Sequence, residues 1–245
     1  MAQSVGKQRT HNEDTLFVMH SLLADGVNDM PFGIFVVADG MGGHLNGEIA
    51  SGVAARTIGH YLVERFFLPF LSGENREDPP SILEVLESGV REAQRAVVAQ
   101  APGGGTTLTA AMVLGGRVTI SHVGDSRACF ISAGERVQVV TQDHSLVRRL
   151  QDLGQIDEKE AITHPQRNVL YRALGQGDVL EPDIFTAPFP QSGYLLLCSD
   201  GLWSVLPDEK LAKIIKNSTS LHTACQDLVA AANEAGGPDN ISAIL

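Results

Sequence analysis

Cysteine is scarce: only Cys129, Cys198 and Cys225 stand in 245 residues. They are odd in number, far apart and without a Cys-x-x-Cys pair, which argues against a thiolate zinc site and points to free thiols in a reducing compartment. No apolar run approaches the roughly 18 residues that a membrane span requires, and the polar N-terminus does not read as a signal peptide. Basic residues are also short. Lys and Arg number 18 against 29 Asp and Glu, a formal net charge of −11. That balance disfavours nucleic acid, which needs a basic footprint, and anionic membrane surfaces. No two histidines sit at i and i+4, so a zincin-type site is not indicated, and the glycine run 103–105 is not followed by the Gly-Lys-Ser/Thr of a P-loop. No fixed-period repeat or low-complexity tract is visible. A cytoplasmic protein, or the cytoplasmic part of something longer, is expected, since the chain stops within an apolar run at Leu245.

What is present organises around residues 34–44. Five residues of a buried strand, Ile34, Phe35, Val36, Val37 and Ala38, run straight into Asp39. Glycines 40, 42 and 43 follow, so another group can approach the backbone closely. A carboxylate at the end of a buried strand suits a hard cation, although a lone Asp-Gly usually marks a plain turn.

Around this strand the period changes in blocks. Residues 16–18 suggest an early strand, and 25–31 a polar connection. Ile49, Val53, Ile58, Leu62 and Phe66 predict an amphipathic helix over 47–67. Ser81 followed by Glu84 forms a capping-box signature for a second helix to about residue 100. Strands are expected at 108–114, 117–123, 128–132 and 137–141, with hairpin glycines between. Residues 143–180 are polar and broken and read as a flap subdomain. A strand at 194–198, helices at 207–216 and 221–235, and a last strand from Ile241 complete the chain. Hairpins of strands and pairs of helices predict an α+β fold, a four-layer α-β-β-α sandwich with two mostly antiparallel sheets, in a single domain over 1–245.

Four acidic positions share one pattern. Asp39, Asp125, Asp200 and Asp239 lie beside or near glycine, three where an apolar strand ends and the fourth just before one. Converging carboxylates would repel one another unless cations sat among them. Oxygen-only ligands suit Mg²⁺ or Mn²⁺. Paired ions about 3.5–4 Å apart can activate a water for in-line attack at phosphorus. Arg9, near Glu13 and Asp14, could grip a phosphate, though taken alone a surface ion pair is the commoner explanation.

Six motifs occur in order: Arg9-Thr10-His11-Asn12-Glu13-Asp14, Asp39-Gly40-Met41-Gly42-Gly43-His44, Gly105-Thr106-Thr107, His122-Val123-Gly124-Asp125-Ser126-Arg127, Cys198-Ser199-Asp200-Gly201 and Asp239-Asn240. The set resembles the metal-dependent PPM/PP2C family of protein serine/threonine phosphatases, in its bacterial branch. The resemblance implies a binuclear Mn²⁺/Mg²⁺ centre. In it Asp39 bridges both ions, the Gly40 carbonyl binds one, Asp200 and Asp239 complete the first shell, and Asp125 with Asp200 holds a third, weaker ion. It further implies that Glu13 and Asp14 bind metal-ligated waters and that Arg9 grips the substrate phosphate. In the animal branch a histidine directly follows the bridging Asp-Gly as a candidate general acid. Met41 stands there in this chain, and His44 is the nearest replacement, with a buried structural role as its alternative. His122 and His144 read as structural.

The expected activity is hydrolysis of phosphoserine and phosphothreonine in proteins by a metal-bridging hydroxide, opposing a cognate bacterial serine/threonine kinase, in a monomer. Two other readings stay open: a phosphatase narrowed to one regulatory phosphoprotein, and a metal-binding module without turnover.

Overall fold

The anchor strand is longer than its apolar run. In the computed structural model, which describes residues 1–24, 26–27, 29–41, 46–72, 81–177 and 180–245, it is β3, Asp29–Met41. It pairs antiparallel with β2, Asp14–Ala24, residue for residue from Asp14↔Asp39 to Ala24↔Asp29. The hairpin register therefore draws Asp29, Met30 and Pro31 into the strand, where polarity alone suggested a connection. On the other side β3 pairs with β5, Leu108–Leu114, then β6, Arg117–Val123, and β9, Asp183–Pro188. A short β4, Gly105–Thr106, extends the pairing at the Asp39 end.

The second sheet runs β1 (Ala2–Ser4), β11 (Ile241–Ile244), β10 (Gly193–Cys198), β7 (Arg127–Ser132) and β8 (Val137–Val139), all antiparallel. β1, β4 and β9 were not expected. The first two are too short to show a period, and β9 mixes Asp183 and Thr186 with its apolar residues.

Strand alternation sorts the apolar side chains into three layers. Ile34, Val36 and Ala38 face helices α1, Gly47–Leu62, and α3, Ile82–Gln100, with Ile58, Leu62, Leu86 and Val90 opposite. Phe35 and Val37, on the other face, join Ala111, Val118, Ile120, Ala128, Leu195, Leu197 and Ile244 between the sheets. Leu196, Cys198, Ile241 and Ala243 face outward again, against α7, Asp208–Asn217, and α8, Leu221–Glu234. The expected four-layer α-β-β-α sandwich is the observed one, and each fully buried Ile or Leu contributes about 1.5–3 kcal/mol.

The helix after β3 departs from expectation in one respect. α1 passes into a π-helical turn, Val63–Phe67, and then α2, Leu68–Ser72. The extra residue in the turn shifts the helical phase, and Phe66 and Phe67 both stack near Phe32, with centroids 6.0 and 4.7 Å away. Ile49, assigned to the apolar face, is 40% exposed, and Ala50, Val53 and Ala54 carry the contact. The capping box of α3 is as expected: Glu84 N–H donates to Ser81 Oγ at 3.2 Å, and Ser81 N–H to Glu84 Oε2 at 2.7 Å. Within 143–177 lie α4, Leu146–Asp152, and α5, Glu158–Thr163; an isolated bridge Ser145↔Leu170 closes the segment on itself, and Thr106↔Leu174 joins it to the body. No helix among the described residues is long and apolar enough to cross a membrane.

Candidate metal centre

Asp39 is the last residue but two of β3, directly opposite Asp14. Its main chain is clamped by two threonines. Asp39 N–H donates to Thr107 Oγ1 at 3.0 Å, while its carbonyl accepts Thr106 Oγ1 at 2.9 Å and Thr107 N–H at 2.8 Å. Gly40 must be glycine, because a Cβ there would lie 2.3 Å from the Gly47 carbonyl oxygen and 2.6 Å from that of Glu13.

The other carboxylates reach the same end of the sandwich from elsewhere. Asp125 sits in the turn from β6 to β7, after Gly124 at φ +105°. Its carbonyl accepts Trp203 Nε1–H at 3.0 Å. Asp200 opens a short helix α6, Asp200–Trp203, immediately beyond β10. Asp239 precedes β11, and its Oδ2 accepts Arg9 Nη2–H at 2.7 Å. Asp14 is buried. Its Oδ2 accepts Ser199 Oγ–H at 2.8 Å, while Oδ1 has no hydrogen-bond partner among the described residues.

The charges of these groups act on one another. The Asp39 carboxyl is pushed well above its ordinary range, first by burial and then by the charges of Asp14, Asp200, Asp125 and Asp239. Asp39 and Asp200 keep some surface open to solvent, but protein atoms crowd both. Burial, then Asp125, Asp239 and Asp14, drives Asp200 strongly upward as well. Asp125 rises to about 7, through burial and Asp143, with Arg127 opposing. Asp14 rises to about 6 through burial, with the nearby hydroxyls of Ser242 and Ser199 opposing. Asp14, Asp39, Asp125 and Asp200 are thus all raised by burial, with the Asp239 charge adding to each. The donor set is oxygen only, includes an orphaned buried Asp14 oxygen, and gathers charge that hard divalent cations would relieve. These residues fit such ions.

Arg9 lies at the rim, its side chain 45% exposed. Glu13 Oε1 lies 3.3 Å from His11 Nε2, and its ligand atom, with those of His11 and Glu48, lies within 4.8 Å of each of the others. His44 lies outside the described residues. His122 is buried, its pKa lowered to about 4 by burial first, and its Nδ1 is 2.9 Å from Thr109 Oγ1. His144 Nδ1 accepts Gly124 N–H at 3.0 Å, and its Nε2 is 3.2 Å from Asp183 Oδ2. Both hold the framework, as expected of them.

The supporting residues were missed from sequence. Arg127 makes a forked pair with Asp143, at 3.0 and 2.7 Å, and its guanidinium carbon stands 3.5 Å over the Trp203 ring. Trp203 thereby joins the Asp200 helix to the Asp125 turn. Arg127 stood within the Gly-Asp-Ser-Arg motif, but nothing in the sequence showed which face it met.

Residues 1–241 match the sequence profile of the protein phosphatase 2C family. The chain is 36% identical over 246 residues to the serine/threonine phosphatase stp of Listeria innocua, covering 98% of this chain and 91% of that protein. Among solved structures, the serine/threonine phosphatase of S. agalactiae superposes with a TM-score of 0.81 at 28% identity, over 99% of this chain and 95% of that one. The catalytic domain of the serine/threonine protein phosphatase PstP, in complex with two manganese ions, gives 0.77 at 28% identity, over 99% and 94%. The convergent carboxylates, the four-layer sandwich and these likenesses agree, and the chain belongs to the protein phosphatase 2C family of metal-dependent serine/threonine phosphatases.

Proposed function

We propose that this chain removes phosphate from phosphoserine and phosphothreonine in bacterial proteins, opposing a serine/threonine kinase, as a single catalytic domain whose residues 143–180 form a flap over the substrate. The observation that carries this reading is the gathering of Asp14, Asp39, Asp125, Asp200 and Asp239, with Arg9 at its edge.

In this reading Asp39, the Gly40 carbonyl, Asp200 and Asp239 would hold two divalent ions, Mn²⁺ or Mg²⁺, and Asp125 with Asp200 would hold a third. Bound there, the ions would supply an activated water for attack at phosphorus and would offset charge on the phosphoryl oxygens. Everything else falls to the chain. Asp14 and Glu13 orient water, for which the orphaned Asp14 Oδ1 is suited. Arg9 carries five N–H donors and uses one on Asp239, so the rest of its fork can receive a phosphate. Thr106 and Thr107 hold Asp39 in place, so the carboxylate does not reorganise as the reaction proceeds. His44, by its resemblance to bacterial relatives, donates the proton to the leaving serine or threonine oxygen. The enzyme acts as a monomer in the cytoplasm, where kinase products accumulate and its three buried thiols stay reduced.

The test is release of phosphate from a phosphothreonine peptide. Activity is expected to require Mn²⁺ or Mg²⁺, to vanish with EDTA, and to fall by about 10³-fold or more in Asp39→Ala. Turnover that survives both treatments would refute the reading.

A further inference from the structure

Residues 5–13, between β1 and β2, form neither helix nor strand, yet they carry Arg9. One side chain ties both ends of this segment. Asn240, 4% exposed, accepts Glu13 N–H on Oδ1 at 2.8 Å and donates from Nδ2 to the carbonyls of Val5 at 2.8 Å and His11 at 2.9 Å. Three of its four hydrogen-bonding positions therefore go to the main chain of this one segment. Between the tied points, Lys7 N–H and Gln8 N–H both donate to the Gly237 carbonyl, at 2.8 and 3.2 Å. Gly6, at φ +83°, lets the chain press against residue 239, where a Cβ would stand 2.1 Å from the Asp239 carbonyl oxygen. Arg9 is thus presented from a bracket whose fastener is Asn240, and its guanidinium meets Asp239, the neighbour of that fastener.

We propose that Asn240 is a positioning residue for phosphate binding: it fixes the backbone that aims Arg9, and acts on substrate only through Arg9. The inference rests on the reading of Arg9 as the phosphate-gripping residue. A guanidinium on a long side chain finds a small anion efficiently only if its own backbone is fixed, because misplacement by about 1 Å costs a large part of the advantage.

A double-mutant cycle tests this, with native protein, Asn240→Ala, Arg9→Ala and the double variant, all at saturating Mn²⁺. Two quantities are read: KM for a phosphothreonine peptide, and the inhibition constant of inorganic phosphate. Asn240→Ala is expected to raise both by about tenfold while kcat stays within about threefold, and to change neither by more than about twofold in the Arg9→Ala background. A residue that merely supports the fold would not show that dependence on Arg9. Should Asn240→Ala fail to fold, Asn240→Ser, which keeps one polar group, completes the same cycle. The same tenfold loss in the Arg9→Ala background, or unchanged constants in Asn240→Ala, would overturn the inference. Native constants in Arg9→Ala alone would instead overturn the phosphate-gripping reading beneath it.

Discussion

Replacing Asp125 with asparagine is expected to stabilise the cation-free protein, and to do so far more at pH 8 than at pH 5. Asp125 is 8% exposed, and its carboxyl titrates at about 7 in the fold against 3.8 ordinarily, with burial as the main cause and the Asp143 charge next. The folded chain holds this proton over a pH range in which the unfolded chain has lost it. Its favourable contribution is therefore complete below about pH 3.8 and is lost as pH rises through about 7. At about 1.36 kcal/mol per pH unit, the loss reaches about 4 kcal/mol at pH 8 and stays below about 2 kcal/mol at pH 5. Asparagine keeps the shape and removes the charge, and it also relieves Asp200, for which Asp125 is the leading electrostatic burden. In a chain of this length about 4 kcal/mol corresponds to a rise of roughly 10 °C in Tm. The assay is thermal unfolding of EDTA-treated native and Asp125→Asn proteins at both pH values. A shift of equal size at pH 5 and pH 8, or a fall at pH 8, would refute the electrostatic reasoning.

Further outcomes follow from particular contacts. Adding Mn²⁺ to the EDTA-treated native protein is expected to raise its Tm more at pH 8 than at pH 5, because cation binding competes with protons on Asp39, Asp200 and Asp125; differential scanning fluorimetry over a Mn²⁺ series checks it. Trp203→Phe keeps an aromatic ring beneath Arg127 but loses the hydrogen bond to the Asp125 carbonyl, and urea unfolding should show a cost of about 1 kcal/mol. Gly40→Ala places a methyl group 2.3 Å from the Gly47 carbonyl oxygen, so a loss above about 3 kcal/mol is expected, or a soluble protein that no longer retains Mn²⁺ in equilibrium dialysis. Ser81→Ala breaks the α3 capping box at a surface remote from the carboxylates; chemical denaturation is expected to show about 1 kcal/mol lost with phosphatase activity unchanged.

The architecture was legible where a single physical signal was strong. The run from Ile34 to Ala38 alternates between two apolar layers, so both faces had to be hydrophobic, and that made the strand visible. One Asp-Gly usually marks a turn, and the acidic residues stood out because four of them repeat that setting at strand boundaries. β1 and β4 carry too few residues for any period to emerge. The shift in helical phase at Val63–Phe67 depends on where Phe32 lies, which only tertiary structure decides. The supporting polar residues were hidden for a related reason. Asn240, Ser199 and Thr107 act on backbone groups as far as 235 positions away, and an asparagine, serine or threonine looks the same in a sequence whether its partner is water or a buried amide.

Asp39 and Asp14 belong to one sheet, Asp200 and Asp239 flank strands of the other, and Asp125 lies on the turn that passes between them. The carboxylates therefore straddle a seam, and their mutual distances are set by how the two sheets rest on each other. That spacing is fixed by a thin filling in which Ala111 and Ala128 are fully buried beside Val37 and Leu197. Metal coordination tolerates only about 0.2 Å of error in distance. Thickening the filling with a larger residue at either alanine would act as a shim, prising one half of the carboxylate set away from the other without touching a single acidic side chain.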